Sequence, residues 1–152
     1  ELGPLSEEVL TDLAPLAENK GIALNCAGDA LVIGSDTLLY RLGFNLVEKA
    51  IRYSRPGSTV NVSICDNDSH VFLRVKDEGS GIPKQYRESI FQPFFRLDKS
   101  RSRAYGGAGL GLALVWEIAA LHGGAVEVEA SSENGTTMLA SLPKRSAELT
   151  EQ

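Results

Sequence analysis

Four glycines fall in the six residues Gly106 to Gly111, and the apolar, helix-forming run Leu112 to Leu121 follows at once. Glycine lets backbone approach a ligand closely and takes positive φ without steric cost. A helix N-terminus adds unpaired N–H groups and a partial positive charge. Together they suit a phosphate cradle; a glycine-rich surface loop is the plainer alternative. In a second stretch, Asp77-Glu78-Gly79-Ser80-Gly81-Ile82-Pro83, a carboxylate stands at a strand end just before two glycines. It suits hydrogen bonding to an exocyclic amine, with the glycines making room for a flat ring; a simple acidic turn is the alternative. Asn45, Lys49 and Arg52 recur at three- and four-residue spacing and share one side of a helix, as an ordinary solvated face would also do. Phe91-Gln92-Pro93-Phe94-Phe95-Arg96 packs three aromatics into five residues. The aperiodic residues 97–105 then carry Lys99, Arg101 and Arg103. They read as a mobile lid hinged at the following glycines, its cations placed to meet anionic phosphates, or as a solvated loop.

The elements that must position these groups follow from periodicity. Leu5, Val9, Leu10, Leu13, Leu16 and Ala17 predict a helix over 5–19, starting near Ser6 and ending at Lys20-Gly21. Ile22 to Asn25 and Leu31-Val32-Ile33 are expected as short strands about a turn at Gly28-Asp29. Ser35 or Asp36 caps a second helix whose buried face is Leu38, Leu39, Leu42, Leu46, Ala50 and Ile51, and Tyr53 to Gly57 stops it. Thr59 to Cys65 and Val71 to Val75 form a hairpin about Asp66-Asn67-Asp68. Tyr86 to Phe91 is expected as a short helix. Leu112, Val115, Trp116, Ala119 and Ala120 mark a third long one closed by His122-Gly123-Gly124. Strands over 125–130 and 136–142 and a polar tail complete the chain. The expected class is α+β: a two-layer sandwich with a mixed, mostly antiparallel sheet of about five strands, covered on one face by three helices.

Composition bounds the function. A chain of 152 residues supports one domain with a proper core. A net charge of −5 argues against a broad nucleic-acid surface but not against a small anionic ligand. Cys26 and Cys65 show no metal or redox spacing and are expected as small core residues in a reducing compartment. No apolar run approaches the roughly 20 residues that span a bilayer, and no signal-peptide pattern is present. The chain opens at Glu1 without an initiator Met, as an excised piece of a longer protein would.

Taken in order, these stretches resemble the catalytic, ATP-binding domain of sensor histidine kinases, the Bergerat fold shared with gyrase, heat-shock chaperone and mismatch-repair ATPases. Asn45-Leu46-Val47-Glu48-Lys49-Ala50-Ile51-Arg52-Tyr53-Ser54 is similar to the family's Asn box, and Asp77 to Gly81 to its first glycine box. Phe91 to Arg96 resembles the Phe box, Gly106 to Leu112 the second glycine box and Gly135-Thr136-Thr137 the last. Any one would be weak; five in series over residues 5–143 are specific. The resemblance implies a domain over 1–144 with a polar tail over 145–152. It implies that Asp77 bonds the adenine amino group, Gly79 and Gly81 admit the base, Ile82 packs on it, Tyr53 borders it and Thr137 lines the pocket nearby. It further implies that Arg52 and Arg96 reach the phosphates, and that Gly107, Gly109, Leu110 and Gly111 offer them backbone amides.

One departure matters. The family's box carries a second Asn four residues after the first, and that Asn holds Mg²⁺; here the position is Lys49. Asn45 remains as a weak Mg²⁺ ligand one turn earlier, while Glu48 points about 100° away around the helix. Lys49 pairs directly with phosphates, or Mg²⁺ binds weakly through Asn45, or catalysis is impaired; weakened Mg²⁺-dependent chemistry with nucleotide binding retained is the preferred expectation. The resemblance implies delivery of the γ-phosphoryl group of ATP to a histidine on an upstream dimerisation domain, Asn45, Lys49 and Arg96 being the catalytic groups. His70 and His122 do not stand in the helical His-Glu setting of an acceptor. A response regulator is the implied partner of the full kinase, nucleic acid is not, and the isolated domain is expected as a monomer, the cytoplasmic part of a membrane-anchored sensor. The rival is a degenerate, regulatory nucleotide-binding module. A gyrase- or chaperone-type ATPase is disfavoured because Asn45 stands where those enzymes place a carboxylate base.

Overall fold

The computed structural model describes residues 1–93 and 111–144. Helix α1 (Leu2–Lys20) is followed by β1 (Ala23–Gly28), α2 (Asp36–Tyr53), and the hairpin β2 (Thr59–Asp66) and β3 (His70–Lys76). Two 3₁₀ turns, Lys84–Tyr86 and Ser89–Phe91, precede α3 (Gly111–Leu121), β4 (Ala125–Ser132) and β5 (Gly135–Pro143). The sheet order is β1-β2-β3-β5-β4, with β1 and β2 parallel and every other pair antiparallel. The last strand therefore lies between β3 and β4.

Alternation fixes which face is buried. Val60, Val62 and Ile64 of β2, Val71, Leu73 and Val75 of β3, and Met138, Ala140 and Leu142 of β5 point into one core. Leu39, Leu42, Leu46, Val47, Ala50 and Ile51 of α2 fill it from above, with α1 over β1 and α3 over β4 and β5. The expected α+β sandwich is what the chain forms. No helix of the described residues is long and apolar enough to cross a membrane.

Several local expectations are corrected. Helix α1 begins at Leu2, not near Ser6, because its first turn is capped from afar: Gly3 N–H donates to Asp29 Oδ1 at 2.6 Å and Leu2 N–H to Ala30 O at 2.9 Å. With Asp29 and Ala30 committed to that cap, Leu31-Val32-Ile33 pairs as no strand, and Leu31 and Ile33 stand exposed. The segment Tyr86 to Phe91 is two 3₁₀ turns and not one helix. Of the two cysteines expected in the core, Cys26 is half-buried and packs against it, whereas Cys65, odd-numbered in β2, lies exposed on the open face of the sheet. The lid, Phe94, Phe95, Arg96, Gly106 to Leu110 and the tail over 145–152 lie outside the described residues.

Candidate functional site

Asp77 follows directly from β3, whose pairing with β5 continues one step further: Asp77 N–H donates to Thr136 O at 2.8 Å. Its side chain shares the core-facing parity of Val75 and is only 8% exposed. Two backbone amides converge on Oδ1, Gly79 N–H at 2.9 Å and Thr136 N–H at 3.1 Å. Among the described residues none donates to Oδ2. Burial raises the carboxyl pKa above the usual aspartate value, and the two amide bonds pull against that rise. Asp77 is thus an acceptor pinned in orientation and poorly solvated.

The backbone around it is packed at distances only glycine tolerates. A Cβ on Gly79 would sit 2.3 Å from Tyr53 O, and one on Gly135 2.1 Å from Asp77 O. Gly79 and Ser54 form an antiparallel bridge that ties the end of α2 to this turn. The buried Ser54 Oγ accepts from Glu78 N–H at 3.3 Å, and Glu78 Oε1 accepts from Thr59 N–H at 2.7 Å. Ile82 is half-buried, its N–H donating to Ser131 Oγ at 2.8 Å, and that hydroxyl lies 2.8 Å from Thr136 Oγ1. Arg87 braces the same corner through Ser131 O at 3.1 Å.

Thr137 does not stand where the resemblance places it. It pairs with Lys76 on the sheet face opposite Asp77, while its neighbour Thr136 takes the position beside the carboxylate. The reason is strand parity: Thr136, Met138 and Ala140 face the helices, and Thr137 with them cannot. Ser54, Ser131 and Thr136 were not singled out from sequence; counting parity back from Asp77 across the β3–β5 register would have found Thr136.

Midway along α2, Gly111 meets Asn45: a Cβ there would lie 3.4 Å from Asn45 Oδ1. The Asn45 amide nitrogen donates to Arg41 O at 2.9 Å, which turns Oδ1 outward from its own helix. Between these two contacts lie Lys49, whose Nζ is 5.2 Å from the Tyr53 ring centroid, and Arg52, paired with Glu48 at 3.5 Å. Eight helical residues separate Asn45 from Tyr53, a rise of about 12 Å. One helix therefore carries groups to both ends of the site. Arg96, Gly107, Gly109 and Leu110 lie outside the described residues.

The fold family implies Mg²⁺, and the described residues do not fit it. Magnesium requires several oxygen ligands near octahedral geometry, and Asn45 Oδ1 is the neutral oxygen that α2 offers. Lys49 follows one turn on, Glu48 is turned to Arg52, and no group of three His, Cys, Asp or Glu among the described residues could hold a metal. Near a protein surface, each unit of charge on an ion 4 Å from an ammonium costs about 4 kcal/mol.

Comparison with known proteins places the chain in a family. Residues 34–146 match the family described as histidine kinase-, DNA gyrase B-, and HSP90-like ATPase. The sensor-like histidine kinase SenX3 of Mycolicibacterium smegmatis is 42% identical over 113 residues, 74% of this chain and 29% of that protein. The sensor histidine kinase WalK of Bacillus subtilis is 42% identical over 101 residues, 65% of this chain and 16% of its own length. The chain thus spans less than a third of these relatives. Among solved structures, the mycobacterial sensor histidine kinase MprB superposes with a TM-score of 0.79 at 30% identity, covering 95% of both chains. Full-length ShkA in complex with AMPPNP superposes with a TM-score of 0.84 at 27% identity, over 97% of this chain and 31% of that one. The chain belongs to the histidine kinase-, DNA gyrase B- and HSP90-like ATPase family, as a catalytic ATPase domain of the sensor histidine kinase kind.

Proposed function

We propose that this domain binds ATP with the adenine at Asp77 and the triphosphate running along α2 toward Asn45 and Gly111, and that it delivers the γ-phosphoryl group to a histidine on a dimerising helical domain of the same longer protein. The observation that carries this reading is the position of α2, whose C-terminal end touches Gly79 beside the buried carboxylate and whose middle meets Gly111 at Asn45. Asp77 Oδ2 accepts from the adenine amino group, Gly79 and Gly81 admit the ring, and Ile82 and Thr136 border it. Tyr53 flanks the base, and Arg52 with Arg96 and the amides of Gly107, Gly109, Leu110 and Gly111 hold the phosphates. Transfer of a phosphoryl group asks for positioning and charge neutralisation more than for covalent help. The acceptor imidazole nitrogen forms the new P–N bond as the bond from the γ-phosphorus to the bridging oxygen breaks and ADP leaves. The product histidine supplies a response regulator. The parent protein is read as a membrane-anchored sensor, with this domain monomeric on the cytoplasmic side.

The second reading, a regulatory module that binds nucleotide without transferring phosphate, draws its support from Lys49. The deciding experiment mixes the domain with the acceptor-bearing segment of its parent and γ-labelled ATP. Label on the acceptor histidine, lost in Asp77→Asn, is the expected result. Binding of an ATP analogue without any transfer selects the regulatory reading, and no binding at all overturns both.

A further inference from the structure

Lys49 stands one helical turn after Asn45 and one turn before Tyr53, so the three side chains line one strip of α2 between the two ends of the site. The strip is where the phosphates lie in the proposed binding mode. The Lys49 ammonium is held over the Tyr53 ring, 5.2 Å from its centroid, which keeps the cation along that strip. Glu48, the carboxylate next to it in sequence, pairs with Arg52. An ammonium has three donors and no lone pair. At this place it can bond phosphate oxygens, whereas it cannot ligate a metal and repels one. The amide oxygen of Asn45 stands as a neutral acceptor against Gly111.

Resting on the ATP-binding reading above, we infer that Lys49 does the work of a divalent cation in this domain. The site takes the adenine nucleotide in its metal-free form, and the Lys49 ammonium neutralises the phosphate oxygens directly. Charge-assisted bonds of this kind are among the strong ones a side chain can make to an anion. The single positive charge also stays with the protein when the nucleotide leaves, so affinity does not depend on the free Mg²⁺ concentration.

Isothermal titration of the 152-residue chain with a non-hydrolysable ATP analogue, once in EDTA and once in excess Mg²⁺, tests the inference. The two dissociation constants are expected to agree within about threefold. Lys49→Asn is expected to weaken binding in EDTA by about tenfold or more, as loss of one charge-assisted bond would, and to bind better once Mg²⁺ is added. Lys49→Arg keeps the charge and is expected to retain binding in EDTA. Wild-type binding that is about tenfold tighter with Mg²⁺ than in EDTA overturns the inference, as does a Lys49→Asn variant indistinguishable from wild type in EDTA. The wild-type comparison decides the matter even where a variant fails to fold. Absence of binding in both buffers overturns the nucleotide site itself, which separates failure of the inference from failure of the reading beneath it.

Discussion

Asp77 shows how a single residue trades stability for binding. Its carboxyl is buried, and burial places its pKa above the aspartate value of an unfolded chain. The folded state then holds the proton more tightly than the unfolded state. Stability therefore falls as pH rises from the ordinary aspartate value through the raised one. Asp77→Asn keeps an Oδ1 to accept from Gly79 and Thr136, so its unfolding free energy at pH 7 should equal or exceed that of wild type, and the pH dependence should flatten. The same variant should lose about ten- to a hundredfold in ATP-analogue affinity, the worth of one hydrogen bond to a charged group. Chemical denaturation across pH, paired with calorimetric titration, checks both halves. Gly135 makes a second case: at φ 143° and with a Cβ destined for 2.1 Å from Asp77 O, Gly135→Ala should cost about 1–3 kcal/mol in a urea melt. Asp77 and its glycines were legible in sequence because their chemistry is local. Thr136 was not, since two adjacent threonines differ only in which sheet face the register gives them.

Helix α2 is the element on which the site depends. Ser35 Oγ accepts from Leu38 N–H at 3.2 Å, the N-cap its sequence position suggested, and Ser35→Ala should cost about 1 kcal/mol. The start of α2 is also tied to α3: Ser35 N–H donates to Nε2 of the buried His122 at 3.2 Å, while His122 Nδ1 lies 2.9 Å from Ile118 O. Those partners place the ring proton on Nδ1. A histidine read from sequence as a helix terminator thus proves to join two helices, a role that required Gly34 to pack against its ring. The core face of α2 was readable from its 3.6-residue period, because burial there repeats along one segment. Ile51 is fully buried in it, and Ile51→Ala should cost about 2–5 kcal/mol by thermal or chemical denaturation, with nucleotide affinity falling as the helix loosens. The start of α1 could not be read in this way, for its cap is a carboxylate 26 residues distant.

At the scale of the whole molecule, insertion of β5 between β3 and β4 brings the Gly135 turn against Asp77 and the Ser131 corner against Ile82. The base end of the site is therefore built from three segments of the chain and fails if the sheet is misordered. Ligand that binds only the folded state stabilises it, so an ATP analogue at a hundred times its dissociation constant should raise unfolding free energy by about 2.7 kcal/mol. Differential scanning calorimetry in EDTA reads this as an upward shift in Tm, and a shift equally large for Asp77→Asn would place the nucleotide elsewhere.

By itself the sequence determined the α+β class, the apolar face of α2, the hairpin and the placing of a glycine-flanked carboxylate at a strand end, whereas on α3 the expected Trp116 and Ala120 stand exposed and Ile118 is buried in their stead. Each feature so determined rests on a period or a turn propensity confined to a few consecutive residues. Only the tertiary structure decided that Thr136 rather than Thr137 stands beside Asp77, that Leu31 to Ile33 pairs with no strand, and that Asp29 caps α1. Those outcomes depend on hydrogen bonds between segments 26 to 59 residues apart, and no local pattern carries the register of such pairings.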